Sequence, residues 1–206
     1  MKIIGICGGS GSGKTSIIKD IRNQFDADEL CIISQDEYYR KREEQKKDDK
    51  GIRNFDLPYA IRSEEMIADI TKLKEGKKVS RLEYTYNNEL KEPQTVIYKP
   101  APILIIEGLF IFHFQEIKEL CDLRIFVHAE KKIMLDRRIR RDRKERNYPL
   151  EDVLYRFEHH VMPAFKEYIK PHKCEADLVI VNNIDYKPGM NVLCGYIRDF
   201  LGRNQS

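Results

Sequence analysis

Eight residues near the start of the chain have the composition of a phosphate-binding loop. Residues 8–15 read GGSGSGKT, which satisfies GxxxxGK[ST], and they lie between an apolar run and a helical pattern. Glycines allow the backbone N–H groups to point inward at an anion, beside a helix N-terminus. Lys14 would bridge the β- and γ-phosphates of a nucleotide, and the Thr15 hydroxyl would hold Mg²⁺. A glycine-rich turn that binds nothing is disfavoured, because the whole motif has the flanks it requires.

Two carboxylates follow apolar runs that could bring them to the phosphates. Glu107 follows four aliphatic residues and precedes Gly108, which favours a metal-site role over a solvent-facing charge. Asp36 ends another run, and ligands of doubly wound sheets lie beyond the carboxyl ends of the strands. Asp36 could therefore take the proton from an acceptor hydroxyl. It could equally be a helix N-cap, and the spacing leaves both roles open.

Residues 131–146 form an arginine-rich segment with nine positive and three negative side chains. Arg138 and Arg141 are three residues apart and so share one helical face. An ordinary solvated helix is one alternative, and a nucleic-acid surface is weakened by the lack of interleaved aromatic residues. Beside a phosphate loop, the segment is better explained as a lid that closes on the triphosphate and neutralises the transferring group. We predict this lid over about 131–148.

Alternating strands and helices position these residues. Apolar runs without strict in/out alternation, which are typical of strands buried on both faces, lie at 2–7, 30–34, 103–106, 123–128 and 177–181. Helical patterns lie at 14–25, 63–74, 131–144, 150–169 and 190–201. The alternation predicts an α/β fold: a doubly wound, parallel five-stranded sheet with helices on both faces. We expect residues 1–206 to form a single domain.

Two stretches interrupt this rhythm. Alternating runs at 81–86 and 95–98 predict a β-hairpin excursion over about 78–98, and the charge-dense residues 40–53 predict a mobile loop. The adjacent His159 and His160 would point about 100° apart on a helix and could not readily share a metal. We therefore expect them to be structural.

The composition limits the class of protein. Lys and Arg total 37 and Asp and Glu 34, and the net charge of +3 does not indicate a nucleic-acid partner. The five cysteines form no CxxC pair and no metal-ligand spacing with histidine, so we expect reduced thiols and a cytoplasmic location. The longest apolar stretch, 103–114, is interrupted by Glu107 and His113 and is too short to cross a bilayer. No signal peptide is expected before the first strand.

Taken together, the segments resemble the uridine (uridine–cytidine) kinase family, within the phosphoribulokinase/uridine kinase group. The resemblance covers about residues 1–181 and rests on GGSGSGKTS, ISQDEYY (33–39), NFDLP (54–58), the tyrosine of RLEYTY, IIEG (105–108), RRIRRDRKER (137–146) and PAFKEYIKP with ADLVI. It implies Mg²⁺-dependent transfer of the γ-phosphoryl group of ATP, or of GTP, to the 5′-hydroxyl of uridine or cytidine. It also implies a homo-oligomer, a tetramer or a dimer.

The resemblance implies roles for individual residues. Asp36 corresponds to the catalytic base, Asp56 to the residue that holds the ribose hydroxyls, and Arg146 to a substrate-site arginine. The predicted catalytic residues are Lys14, Asp36, Arg138 and Arg141. The predicted metal ligands are Thr15, Asp36 and Glu107. The predicted ATP-binding residues are Gly8, Gly9, Ser10, Gly11, Ser12, Gly13, Lys14, Thr15, Ser16 and Arg138. The predicted substrate-binding residues are Asp36, Tyr39, Asp56, Tyr84, Glu89, Arg141 and Arg146.

Departures from the family pattern concentrate where the base would be recognised. Glu89 stands where the family usually has a histidine that reads the pyrimidine, and an ionised carboxylate can only accept hydrogen bonds. Asn147-Tyr148 replace the end of the usual ERGR, and Asn182-Asn183 replace Pro-Arg-Gly after the last strand. The pocket could therefore prefer cytosine, a cationic base or another small alcohol, such as nicotinamide riboside or a sugar phosphate. A non-catalytic nucleotide-binding protein is the remaining alternative.

Overall fold

The computed structural model describes residues 1–84, 92–145 and 148–203. Its strands are β1 (Lys2–Gly8), β2 (Leu30–Ser34), β3 (Val79–Leu82), β4 (Thr95–Tyr98), β5 (Ile103–Gly108), β6 (Leu123–His128) and β7 (Leu178–Val181). Five of them form a parallel sheet in the order β2-β5-β1-β6-β7. The predicted parallel five-stranded sheet is confirmed, and the phosphate loop follows its central strand.

Helices cover both faces of this sheet. They are α1 (Lys14–Arg22), α2 (Ser63–Lys74), α3 (Gln115–Leu120), α4 (Lys131–Glu145), α5 (Leu150–Arg156), α6 (Met162–Ala164) and α7 (Lys187–Arg203). One core cluster joins Ile105 to α1 and α7, and the other joins Ile106 to α2, α3 and α4. Neighbouring strand residues thus point to opposite, equally buried faces, which explains the nearly continuous aliphatic runs. The predicted doubly wound α/β fold is confirmed.

The predicted helix over 150–169 is present, but its winding is irregular. Two π-helical turns, Phe157–Val161 and Phe165–Ile169, flank α6, and a 3-10 turn, Lys170–Lys173, ends the segment. Pro163 has no backbone N–H and its ring crowds the preceding turn, so a regular α-helical ladder cannot continue through it. Among the residues described, no helix is both long enough and apolar enough to cross a membrane.

β3 and β4 form the predicted hairpin, with Val79 opposite Tyr98 in antiparallel pairing. The predicted first arm, 81–86, overlaps the strand only in part: β3 begins at Val79 and ends at Leu82, and residues 85 and 86 lie outside the described residues. Val79 and Tyr98 are both buried against the core, and Val79 starts the in/out alternation of the first arm two residues earlier than predicted. Residues 85–91, between the two arms, lie outside the described part of the chain.

Asp48 attaches the charge-dense loop at 40–53 to the 150–173 segment. Asp48 Oδ2 lies 2.8 Å from His160 Nε2 and accepts a hydrogen bond of 2.9 Å from the Tyr155 hydroxyl. The backbone N–H groups of Lys50 and Ile52 also donate to Asp48, at 2.9 and 2.8 Å. The buried His160 thus has a structural contact, as its sequence context predicts, and the loop has a defined anchor.

Candidate active site

The phosphate loop connects β1 directly to α1 and is tightly enclosed. Gly11 and Gly13 have φ values of 81° and 101°, which are left-handed conformations that favour glycine. A side chain at Gly11 would meet the carbonyl oxygen of Met134 in α4 at 2.5 Å. A side chain at Gly13 would overlap the amide nitrogen of Asn182. The loop is therefore packed between α4 and the residue that follows β7.

Lys14 is buried and directs its ammonium back over the loop. Its Nζ donates to the carbonyl oxygens of Gly8 at 2.9 Å and of Gly9 at 3.4 Å. Phosphate oxygens would accept charge-assisted bonds from the same ammonium, which are stronger than bonds to neutral carbonyls. Thr15 and Ser16 follow in the first turn of α1 with exposed side chains. The structure thus gathers the predicted loop residues at the turn between β1 and α1.

Asp36 and Glu107 approach each other at the carboxyl ends of β2 and β5. The strand register places Ser34 opposite Glu107, and the Ser34 hydroxyl donates to Glu107 Oε1 at 2.5 Å. Burial raises the pKa of Glu107 above 4.5 and the charge of Asp36 raises it further, whereas Lys14 and the Ser34 bond lower it. The mutual repulsion of two such carboxylates favours a cation beside them.

This donor set fits Mg²⁺. The ion commonly takes one or two protein carboxylates and completes its shell with water and phosphate oxygens. Asp36, Glu107 and the hydroxyl of Thr15 are hard oxygen donors of that kind. Within the described residues, His, Cys, Asp and Glu form no group of three or more that could hold a metal by itself. A metal here would therefore depend on the nucleotide for part of its coordination.

Ser34 rather than Asp36 caps the turn that follows β2. The 3-10 turn Gln35–Tyr38 begins directly after the strand, and Ser34 Oγ accepts a hydrogen bond from the Asp36 N–H at 3.3 Å. The buried Gln35 fixes the same turn to the segment after β5, because its Oε1 accepts from the Phe110 N–H at 2.9 Å. The N-cap alternative for Asp36 is therefore wrong.

The arginine-rich helix α4 contacts the phosphate loop. Arg138 is buried, and its Nη1 donates to Ser10 Oγ at 2.9 Å. Its Nε lies 3.1 Å from Asp142 Oδ2, one helical turn later. Arg141 donates to the other oxygen of Asp142 at 2.9 Å. One carboxylate, only 1% exposed, thus holds both predicted lid arginines on one face of α4.

Aromatic rings gather near the end of β2, where the acceptor is expected. The Tyr39 ring centroid lies 5.3 Å from that of Tyr84 and 6.2 Å from that of Phe55. Asp56 Oδ1 lies 3.9 Å from Arg138 Nη1, so Arg138 connects the phosphate loop with Asp56. The other two predicted substrate residues, Glu89 and Arg146, lie outside the described residues.

Four residues that position these groups were not predicted from the sequence: Ser34, Arg137, Asp142 and Asn182. Ser34 carries a detectable signal, since serine before a turn is a common N-cap. Asp142 lies four residues after Arg138, the spacing of a helical ion pair. Arg137 and Asn182 both contact Ser12, which is 125 and 170 residues away in sequence. No local pattern could have indicated those two contacts.

A phosphate loop between β1 and α1 of a doubly wound parallel sheet, with carboxylates at two neighbouring strand ends, defines a P-loop kinase. Residues 3–186 match the model of the phosphoribulokinase/uridine kinase family. The uridine kinase of Staphylococcus carnosus is 30% identical over 203 residues, which are 98% of this chain and 98% of that protein. The chain therefore belongs to the phosphoribulokinase/uridine kinase family. It is an ATP-dependent kinase, of a family that in general uses ATP with Mg²⁺.

Solved structures share the fold at lower sequence identity. A possible uridine kinase from Bacillus stearothermophilus has a TM-score of 0.59 and 18% identity, with 86% of this chain and 87% of that chain covered. Phosphoribulokinase from Rhodobacter spheroides has a TM-score of 0.62 and 20% identity, with 90% and 72% covered. These likenesses concern the fold, a parallel five-stranded sheet with helices.

Proposed function

We propose that the protein transfers the γ-phosphoryl group of ATP to the 5′-hydroxyl of a pyrimidine ribonucleoside, uridine or cytidine. The observation that carries the proposal is the placement of Asp36 beside Glu107, at the strand ends next to the phosphate loop. Relatives named uridine kinases, about 30% identical over nearly the whole chain, support the choice of acceptor. GTP is the alternative donor.

The roles of the charged residues follow from where they lie. Asp36 would accept the proton from the attacking hydroxyl while the new P–O bond forms. Lys14, Arg138 and Arg141 would neutralise the charge on the transferring group, with Arg138 already seated on Ser10 of the loop. Mg²⁺ held by Thr15, Asp36 and Glu107 would supply further charge neutralisation at the phosphate oxygens.

The acceptor would lie between the aromatic group and Asp56. We propose that Tyr39 and Tyr84 contact the base and that Asp56 binds the ribose hydroxyls. Arg146 and Glu89 would complete the pocket, and the carboxylate of Glu89 would accept from the amino group of cytosine. Small molecules would be the only substrates, and we expect a cytoplasmic homo-oligomer.

A second candidate function uses the same phosphoryl-transfer residues with a different acceptor. Glu89 stands in the position that usually reads the pyrimidine, which would allow nicotinamide riboside or a sugar phosphate to be the acceptor. A non-catalytic nucleotide-binding protein is disfavoured, because Lys14, Thr15, Asp36 and Glu107 are all retained.

The test is ATP consumption with Mg²⁺ over a panel of acceptors: uridine, cytidine, other ribonucleosides, nicotinamide riboside and ribulose 5-phosphate. We expect turnover of uridine or cytidine, and Asp36→Asn to lower kcat by about 10²- to 10⁴-fold, the usual contribution of a general base. Asp28→Asn, an exposed carboxylate on the surface, is the matched control and should retain activity. The absence of activity with both uridine and cytidine would refute the proposed acceptor. Full activity of Asp36→Asn would refute Asp36 as the general base.

A further inference from the structure

A single buried amide after β7 joins the phosphate loop to α4. Asn182 is 3% exposed, and its Nδ2 donates to the Ser12 carbonyl oxygen at 2.8 Å. Its Oδ1 accepts from Arg137 Nη2 at 3.2 Å. Arg137 Nη1 also donates to the Ser12 carbonyl oxygen, at 3.3 Å. Asn182, Arg137 and Ser12 therefore form a closed triangle of hydrogen bonds.

This triangle fixes the orientation of one peptide in the loop. A trans peptide is planar, so the Ser12 carbonyl and the Gly13 N–H point in opposite directions. With the carbonyl held toward Asn182, the Gly13 N–H points away from it. The contact is close, because even a Cβ at Gly13 would overlap Asn182 Nδ2. Inward-pointing N–H groups are what bind an anion in such a loop.

The Asn182 amide also helps to position α4, through its hydrogen bond with Arg137. Arg137 precedes Arg138, whose guanidinium donates to Ser10 of the loop. We propose that Asn182 is a positioning residue for the donor nucleotide. It orients the Ser12–Gly13 peptide for the triphosphate and, through Arg137, holds the helix that carries Arg138 against the loop. The inference rests on ATP binding at the loop and is independent of which acceptor is phosphorylated.

Asn183 provides a matched control on the next residue. Its Oδ1 accepts from the Glu130 N–H at 2.9 Å, and its Nδ2 donates to Glu130 Oε1 at 3.0 Å. This second amide holds the residue before α4 in an exposed setting, whereas the bond from Asn182 to Ser12 is buried.

The experiment measures Mg²⁺–ATP binding by calorimetry for the wild-type protein, Asn182→Ala, Asn183→Ala, Arg137→Ala and the Asn182→Ala/Arg137→Ala double variant. We expect Asn182→Ala to weaken binding about tenfold, the effect of one buried hydrogen bond that orders the site. Asn183→Ala should stay within about twofold of wild type. The double variant should lose less than the product of the single effects, because both bonds end on the same carbonyl. In Asn182→Ala, the KM for ATP should rise while the KM for the acceptor stays unchanged.

Unchanged affinity in Asn182→Ala, equal losses in Asn182→Ala and Asn183→Ala, or strictly multiplicative effects in the double variant would each overturn the proposal. Thermal unfolding without nucleotide shows whether each variant is folded. If Asn182→Ala does not fold, Asn182→Asp removes the donor with little change of shape, and Arg137→Ala probes the triangle from its other side. Each of these two variants must weaken ATP binding for the proposal to stand. Because no acceptor is present, failure to phosphorylate uridine would leave this test intact.

Discussion

Ser34 and Glu107 lie opposite each other on β2 and β5, and the Ser34 hydroxyl donates to the Glu107 carboxylate. The same oxygen accepts the Asp36 N–H. One hydroxyl thus orients the Glu107 carboxylate and fixes the backbone at Asp36. Removing the metal ligand Glu107 should therefore affect Mg²⁺ binding more strongly than removing Ser34, which only supports that ligand.

Changes at this pair should alter the Mg²⁺ requirement. We expect Glu107→Gln to raise the Mg²⁺ concentration for half-maximal activity by about 100-fold, and Ser34→Ala by about tenfold, the lower end for a supporting partner. The measurement is initial rate against Mg²⁺ at saturating ATP. Ser80→Ala, an exposed serine in the hairpin, should behave as wild type. Identical Mg²⁺ curves for all the proteins would contradict a metal site at Glu107.

Arg138 should not be replaceable by lysine. Its planar guanidinium reaches Ser10, Asp142 and Asp56 together, whereas an ammonium is a point charge without that fork. We expect Arg138→Lys to lower kcat by about 100-fold or more, as loss of a phosphate-stabilising donor does. Arg143→Lys, on an exposed position of the same helix, is the control. Equal kcat values in the two variants would remove Arg138 from the phosphate site.

Arg81 should stabilise the hairpin on α2. Its guanidinium pairs with Glu65 and Asp69 at 2.8 Å each and lies 4.0 Å from the centre of the buried Tyr38 ring. We expect Arg81→Met to lower the free energy of unfolding by about 1–3 kcal/mol, because Asp69 loses a buried partner.

The same change should raise the KM for the acceptor, since Tyr84 follows β3 by two residues. Denaturant unfolding and steady-state kinetics check the two effects. Lys77→Met, which breaks an exposed pair with Glu75, is the control and should leave the free energy of unfolding unchanged, because solvent screens such a pair. Unaltered stability and KM in Arg81→Met would contradict the role of this contact.

Asp48 should make stability depend on acid pH. Burial alone would raise the pKa of Asp48, but hydrogen bonds from His160, Ile52, Tyr155 and Lys50 lower it well below 3.8. A depressed pKa means that the unfolded state binds the proton more tightly, so this stabilisation is complete above pH 3.8 and falls as the pH drops toward the folded-state pKa.

We expect Asp48→Asn to lower the urea midpoint at pH 7, and the difference from wild type to shrink as the pH falls below 3.8. Urea unfolding at a series of pH values measures it. Asp49→Asn, its exposed neighbour, should show no such difference. A gap between wild type and Asp48→Asn that stays constant down to pH 3 would contradict the prediction.

Helix prediction from the sequence was reliable where a long segment carries its own pattern. α2 was predicted with the bounds it has, because twelve residues with an acidic first turn and a regular apolar face suffice. α3 was missed, since its six residues include a single buried apolar side chain, Ile117. The first hairpin arm was predicted two residues too late, because the burial of Val79 depends on packing against residues distant in the sequence.

Local sequence patterns were sufficient to predict the phosphate loop, the five strands of the sheet and the doubly wound α/β class. Glycine pattern and hydrophobic period act over a few residues, so they can be read locally. Three contacts become visible only in the folded protein: Ser34 faces Glu107, Arg138 joins Ser10 to Asp56, and Asn182 donates to Ser12. Those contacts depend on strand order and helix packing, which are set by burial of the whole core and leave no trace in neighbouring residues.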